Sequence, residues 1–178
     1  MTEMKERILE AAHGILSNDG PAALTTRRVC DAVGVTMPTL YHYFPSRDEL
    51  AKAVHALAFQ RFMTKKRSLK LTDDPLVDLR RSCEVVLDFV SKNKNATVAV
   101  MARGLEEPAM MAQGYELLRD RVHRAAAAGS LRVAEQEATA MTWSVVQGLV
   151  VLMIASPDPN INVGAVRKLV LDGLFASL

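Results

Sequence analysis

Two cysteines in 178 residues, Cys30 and Cys83, are too few and too far apart for a disulfide framework, and no C-x-x-C spacing offers a zinc site. The four histidines, His13, His42, His55 and His123, show no H-E-x-x-H or comparable spacing, so no metal is expected. Cys83 and His123 have no third group to orient them as a nucleophile and base. The charged start, Met1 to Arg7, leads into an amphipathic pattern and does not read as a signal peptide. The longest apolar run, Leu149 to Ala155, falls short of the ~20 residues of a membrane span. Alternating strand patterns, repeats and low-complexity tracts are all missing. These absences leave a soluble cytoplasmic protein with no membrane association, no cofactor and no catalytic residues as the expectation.

What is present is ordinary for a globular chain, with 49% apolar and 24% charged residues arguing against general disorder. The net charge of +2 hides an asymmetry. Residues 1–70 hold 11 Lys and Arg against 7 Asp and Glu, whereas residues 71–178 hold 11 against 13. The basic half is the one that contains residues 36–44, although this modest tilt alone is a weak argument for nucleic acid.

Helical periodicity runs throughout. Ile8, Ala12, Ile15 and Leu16 make one stripe over residues 3–18, and Gly20-Pro21 stops it. Thr25 or Thr26 caps a short second helix with Val29, Ala32 and Val33 inside, ended by Gly34. Thr36 caps a third over 36–44, where Leu40 and Phe44 share a buried face and Thr39, Tyr41, His42 and Tyr43 point elsewhere. Two short helices joined by a Gly-containing turn form a helix-turn-helix. Ser46 and Glu49 form a capping box for a long helix running to about Arg67, whose Lys65-Lys66-Arg67 end reads as a solvated charge run.

Beyond Pro75 the reading remains helical. Leu76, Leu79, Cys83, Val86, Leu87 and Val90 form one stripe, followed by a short segment from Ala96 to Arg103 and a helix from Pro108 to Gly129. A helix over 133–155 is apolar on most sides, which implies burial all round. The last helix, about 163–175, has Val166, Leu169, Val170 and Leu174 on its stripe. The expected fold is all-α with about nine helices.

The string Ile8-Leu9-Glu10-Ala11-Ala12, Gly20, Leu24 to Val29, Gly34-Val35, Pro38 to Phe44 and Ser46 to Leu50 resembles the TetR family of bacterial transcriptional regulators. Ala128 to Arg132 with Met141 to Leu149 is similar to one subtype of that family's ligand domain, which usually has His where this chain has Gln147. The resemblance implies a DNA-binding domain over 1–48 and a ligand-binding and dimerisation domain over 49–178. Its partners would be double-stranded operator DNA, a second copy through the last two helices, and a small-molecule effector.

By that resemblance Thr26 and Arg27 hold phosphates, Met37, Pro38 and Thr39 face bases, and Tyr41, His42 and Tyr43 reach phosphates or base edges. Arg47 stands where the family often has a phosphate-binding Lys. Arg28 reads as solvated or salt-bridged, and Tyr43 has packing as its competing role. Tyr115, Trp143 and Gln147 are candidate effector contacts, and Met101, Met110, Met111, Met141 and Met153 suit an adaptable apolar cavity or an ordinary core. The expected function is a homodimeric repressor released by its ligand. A helix-turn-helix protein with a structural or protein-recruiting role and no effector is the alternative. A helical enzyme would need a nucleophile–base or metal cluster that the pattern does not supply.

Overall fold

The computed structural model describes residues 3–98, 101, 108–156 and 158–178. The fold is all-α, with no strand among the described residues. The helices are α1 (Glu3–Asp19), α2 (Thr26–Val33), α3 (Met37–Tyr43), α4 (Arg47–Arg67), α5 (Pro75–Lys92), α6 (Pro108–Ala127), α7 (Glu135–Ala155) and α8 (Val163–Ser177). A 3-10 turn, Pro21–Ala23, follows α1, and residues 94–98 are also helical. Most of the segment expected from Ala96 to Gly104 lies outside the described residues.

Two compact units emerge, Met1–Phe62 with Asn93–Glu106, and Met63–Lys92 with Glu107–Leu178. In the first, Ile8, Ala12 and Leu16 from α1 meet Val29 and Cys30 of α2, Leu40 and Phe44 of the third helix, and Leu50 and Val54 of α4. Caps set the boundaries. The Arg28 N–H donates to Thr25 Oγ1 at 3.3 Å, and Gly34 closes α2 at φ 75°, a left-handed conformation that suits glycine. The Thr39 N–H donates to Thr36 Oγ1 at 3.4 Å, and the Glu49 N–H to Ser46 Oγ at 3.1 Å. Glu49 does not complete the expected capping box in return, because its carboxylate takes Lys52 Nζ at 3.0 Å.

Leu40 is the hinge pin of this unit, fully buried in a helix of only seven residues. Leu40→Ala should destabilise the unit by about 2–5 kcal/mol, because so short a helix is held by packing rather than propensity. Urea unfolding checks this, and an unchanged midpoint would remove Leu40 from the anchoring role.

In the second unit α5 packs against α6, α7 and α8, α6 against α7, and α7 against α8. Its core joins Leu79, Leu118, Val122, Ala138, Leu174 and Leu178. Three expectations change here. Helix α7 is not buried all round, since Val151 is exposed and Ser144 and Gly148 face outward. Helix α8 buries Leu171 and Leu174, with Leu178 buried just after it, and leaves Leu169 exposed, so the inward stripe is rotated from the expected one. Lys66 is buried rather than solvated.

By length and composition α7, with mean hydropathy 1.7, could cross a membrane, against the expectation drawn from its longest uninterrupted run. Thr139 and Thr142 nevertheless lie on its buried face beside Ala138, Val146, Leu149 and Val150, packed on three neighbouring helices. That is the pattern of a core helix.

Candidate nucleic-acid interface

Helix α3 owes its presentation to its two ends. Thr36 caps the start through the Thr39 N–H, and the two hydroxyls lie 2.9 Å apart. Phe44 caps the other end and is buried, with Lys5 Nζ 5.4 Å above its ring. With Leu40 and Phe44 committed to the core, Met37 at 37% exposure and Tyr41 at 40% stand outward together with Pro38 and His42. Thr39 is half-buried at the same end.

Neighbouring contacts refine these roles. The Cys30 thiol points at Met37 Sδ, 3.6 Å away, so one side of Met37 is held against α2 while the rest is open. Burial, helped by the Asp31 charge, pushes the Cys30 thiol up, which keeps it a neutral donor. Tyr43 packs against the core and meets His42 edge-on, ring centroids 5.0 Å apart. Tyr43 is therefore a packing residue in this unit, whereas Tyr41 is the freer ring.

Thr26 opens α2 and is half-buried, Arg27 beside it is exposed, and Arg47 opens α4 in the same exposed state. First-turn N–H groups plus a nearby guanidinium favour an anion at each of these helix starts. Arg28 is held in an ion pair with Asp19 at 2.7 Å, as its salt-bridged reading requires. Arg7 donates to the Val33 carbonyl at 3.3 Å and so tethers α1 to the end of α2. Arg61 pairs with Glu10 and lies 3.1 Å from His13 Nδ1, fixing α4 against α1. Burial and the Arg61 charge hold the His13 imidazole below its usual range.

In the second unit Tyr115 and Trp143 meet edge-on at 5.3 Å, and Gln147 lies one turn after Trp143 on α7, half-buried. Two of the three expected effector residues are thus brought together. Cys83 is a poor nucleophile, because burial pushes its thiol up to about 12 despite the cations Lys66 and Arg121 nearby. His123 is exposed and faces Glu135 at 3.1 Å instead. Among the described residues no group of His, Cys, Asp or Glu is arranged to hold a metal. Sequence reasoning missed Lys66 and Arg121 as buried cations. The signal was present, since both continue the buried stripes of their helices.

A capped, outward-facing short helix at the end of a two-helix turn defines a helix-turn-helix protein. Residues 8–54 match the family model of bacterial regulatory proteins, tetR family. The chain belongs to the TetR family. A nucleoid occlusion factor SlmA from Vibrio campbellii is 30% identical over 125 residues, covering 69% of this chain and 61% of that protein. The matches span only about half to three-fifths of the first such relatives, 48% and 61%.

Among solved structures, a TetR transcription regulator from Haloarcula marismortui superposes with a TM-score of 0.78 at 18% identity, covering 99% of this chain and 98% of that one. The fatty acid degradation regulator FadR from Bacillus halodurans does so with a TM-score of 0.76 at 16% identity, covering 98% and 96%. At these identities the likeness is one of fold.

Proposed function

We propose that this chain is a cytoplasmic, homodimeric transcriptional repressor that binds a palindromic operator through α3 and is released by a small-molecule effector. The carrying observation is α3 itself, whose buried Leu40 and Phe44 leave Met37, Pro38, Tyr41 and His42 facing outward at the capped end of a two-helix turn. In this reading residues 1–48 contact DNA, and residues 49–178 hold the effector and the dimer seam. Met37, Pro38 and the Thr39 methyl meet thymine methyls, since this edge is short of bidentate hydrogen-bonding side chains. DNA shape then carries a correspondingly larger share of specificity.

Tyr41, His42 and Tyr43 orient the helix on phosphates or base edges, and Thr26, Arg27 and Arg47 hold phosphates. Two such helices in a dimer reach half-sites roughly 34–36 Å apart. Release follows from linkage: an effector that binds better to the DNA-incompetent state weakens operator binding by the same factor. Tyr115, Trp143 and Gln147 are the proposed effector contacts.

Selection of binding sites from a random duplex pool tests the reading. Arg47→Ala should weaken binding about equally across sequences and reduce the salt slope by about one. Substitutions at Met37 or Thr39 should instead change the preferred bases. An Arg47→Ala protein with altered preference and an unchanged salt slope would overturn the phosphate assignment.

The second reading, a DNA-bound protein with a structural or recruiting role and no effector, is favoured by the relatives named nucleoid occlusion factor. Genome-wide occupancy separates the two. Sites upstream of genes whose transcripts rise on deletion support the repressor, and dispersed sites without transcript changes support the alternative.

A further inference from the structure

The buried stripe of α4 runs Phe59, Met63 and then Lys66, three positions spaced as one face. That of α6 runs Gly114, Leu118, Arg121, Val122 and Ala125. A lysine and an arginine thus occupy core positions, with Lys66 at 5% and Arg121 at 6% exposure. They are neighbours: the Arg121 Nη2 group donates to the Lys66 carbonyl at 3.2 Å, and Lys66 Nζ to the Gly114 carbonyl at 3.4 Å. Arg121 Nε and Nη1 are buried with no partner. Among the described residues no carboxylate is hydrogen-bonded to either cation, although the Asp78 charge acts on Arg121. Asp78 is already engaged by the Thr72 N–H and hydroxyl, by Arg124 at 3.1 Å and by Arg81 at 3.5 Å. Burial of uncompensated cations is costly, and native cores avoid it unless something else completes the site.

The surroundings extend the deficit. Ser82 Oγ on α5 and Thr142 Oγ1 on α7 are buried and unpartnered as well. The Cys83 thiol on α5 feels both Lys66 and Arg121. The Trp143 ring edge lies 3.8 Å from where a Gly114 Cβ would sit. Lys66, Arg121 and the Cys83 thiol are thus grouped around Gly114, beside the Tyr115–Trp143 ring pair.

We infer that Lys66 and Arg121 form an internal oxyanion site, and that the effector is a molecule carrying a carboxylate or phosphate attached to an apolar body. This rests on the effector reading above and specifies its chemistry. Guanidinium and ammonium groups match such oxygens with charge-assisted hydrogen bonds, which are strongest where water is excluded. The aromatic pair supplies apolar surface for the remainder. Burial pulls the Lys66 ammonium down to about 8, with the Arg121 charge adding to the effect, and an anion held between the two would oppose both causes.

The test measures thermal unfolding of the full chain at matched ionic strength with octanoate, octyl phosphate, inorganic phosphate and methyl octanoate. The anionic probes should raise Tm saturably, by roughly 5–10 °C at a hundredfold excess over Kd, and methyl octanoate should not. Octanoate against octyl phosphate decides which oxyanion is preferred. In Arg121→Met and Lys66→Met, both checked for fold by circular dichroism, the anionic shift should be lost. Removing either uncompensated charge should also leave the free protein as stable or more so. No anionic shift in the wild type, or a shift that persists in both variants, would overturn the oxyanion site. The effector reading fails separately, if a probe that raises Tm leaves affinity for a selected DNA site unchanged.

Discussion

Asp78→Ala should lower the unfolding temperature by about 5–10 °C at pH 7, the largest loss of stability expected from any single polar side chain here. Asp78 is 1% exposed and sits in the first turn of α5, where a carboxylate is favoured by the helix N-terminus. It accepts from the Thr72 N–H at 2.9 Å and from the Thr72 hydroxyl at 3.0 Å, and receives Arg124 of α6 at 3.1 Å. One carboxylate thus fixes the loop before α5 and ties it to α6. Removing it leaves the Thr72 N–H and two guanidiniums without their acceptor. Arg124 and Arg81 are partly exposed and regain water, which holds the loss to roughly 2–3 kcal/mol, below that of a fully enclosed pair.

The pH dependence has a definite sign. Burial pushes the Asp78 carboxyl up, but the hydrogen bonds from Thr72 and the Arg124 charge outweigh it and hold the group below its ordinary range. A depressed folded value means that the contribution is complete above the unfolded value of about 3.9 and disappears as pH falls through the folded one. The gap between wild type and Asp78→Ala should therefore begin to narrow as pH falls below about 4 and keep narrowing through the folded value, followed by calorimetry across pH. Equal Tm at pH 7 would remove Asp78 from this role.

Local signals carried the first unit because each boundary there has a chemical cause. Thr25, Thr36 and Ser46 cap the three successive helices, and Gly34 takes the positive φ that α2 needs to end. Those features act within four residues, so they are readable without a fold. Lys66 was legible by spacing and concealed by type. Its position continues a buried stripe, yet a run of three cations ordinarily marks a solvated face. Arg121 repeats the lesson on α6. Whether such a cation is buried depends on three other helices, which periodicity along one helix does not report.

The apolar breadth of α7 posed the opposite problem. Hydrophobicity on all sides records that each face avoids water, and it does not distinguish a neighbour within the chain from a second copy. In the single chain Val151 remains exposed on α7, and Leu169 on α8 is 74% exposed. These residues sit on the two helices through which the proposed homodimer would form. An apolar side chain of that exposure is unremarkable singly. On adjacent helices it gives the dimer reading a specific place to be tested.

Leu169→Glu should leave the monomer folded, since the substituted side chain is solvated in the single chain, and should abolish the dimer by placing a charge in the seam. Leu174→Glu separates this effect from simple unfolding, because Leu174 is buried among Leu79, Leu118 and Leu178 and a carboxylate there disrupts the unit itself. Light scattering should report a monomer for Leu169→Glu with wild-type helicity by circular dichroism, and helicity loss for Leu174→Glu. Operator affinity of Leu169→Glu should drop by roughly 100-fold or more, as the second recognition helix no longer binds at the effective concentration that the dimer provides. The loss should be confined to palindromic sites, with a single half-site bound about as before. Dimers that persist in Leu169→Glu would place the seam elsewhere on the chain, and a monomer with unchanged operator affinity would show that one α3 suffices.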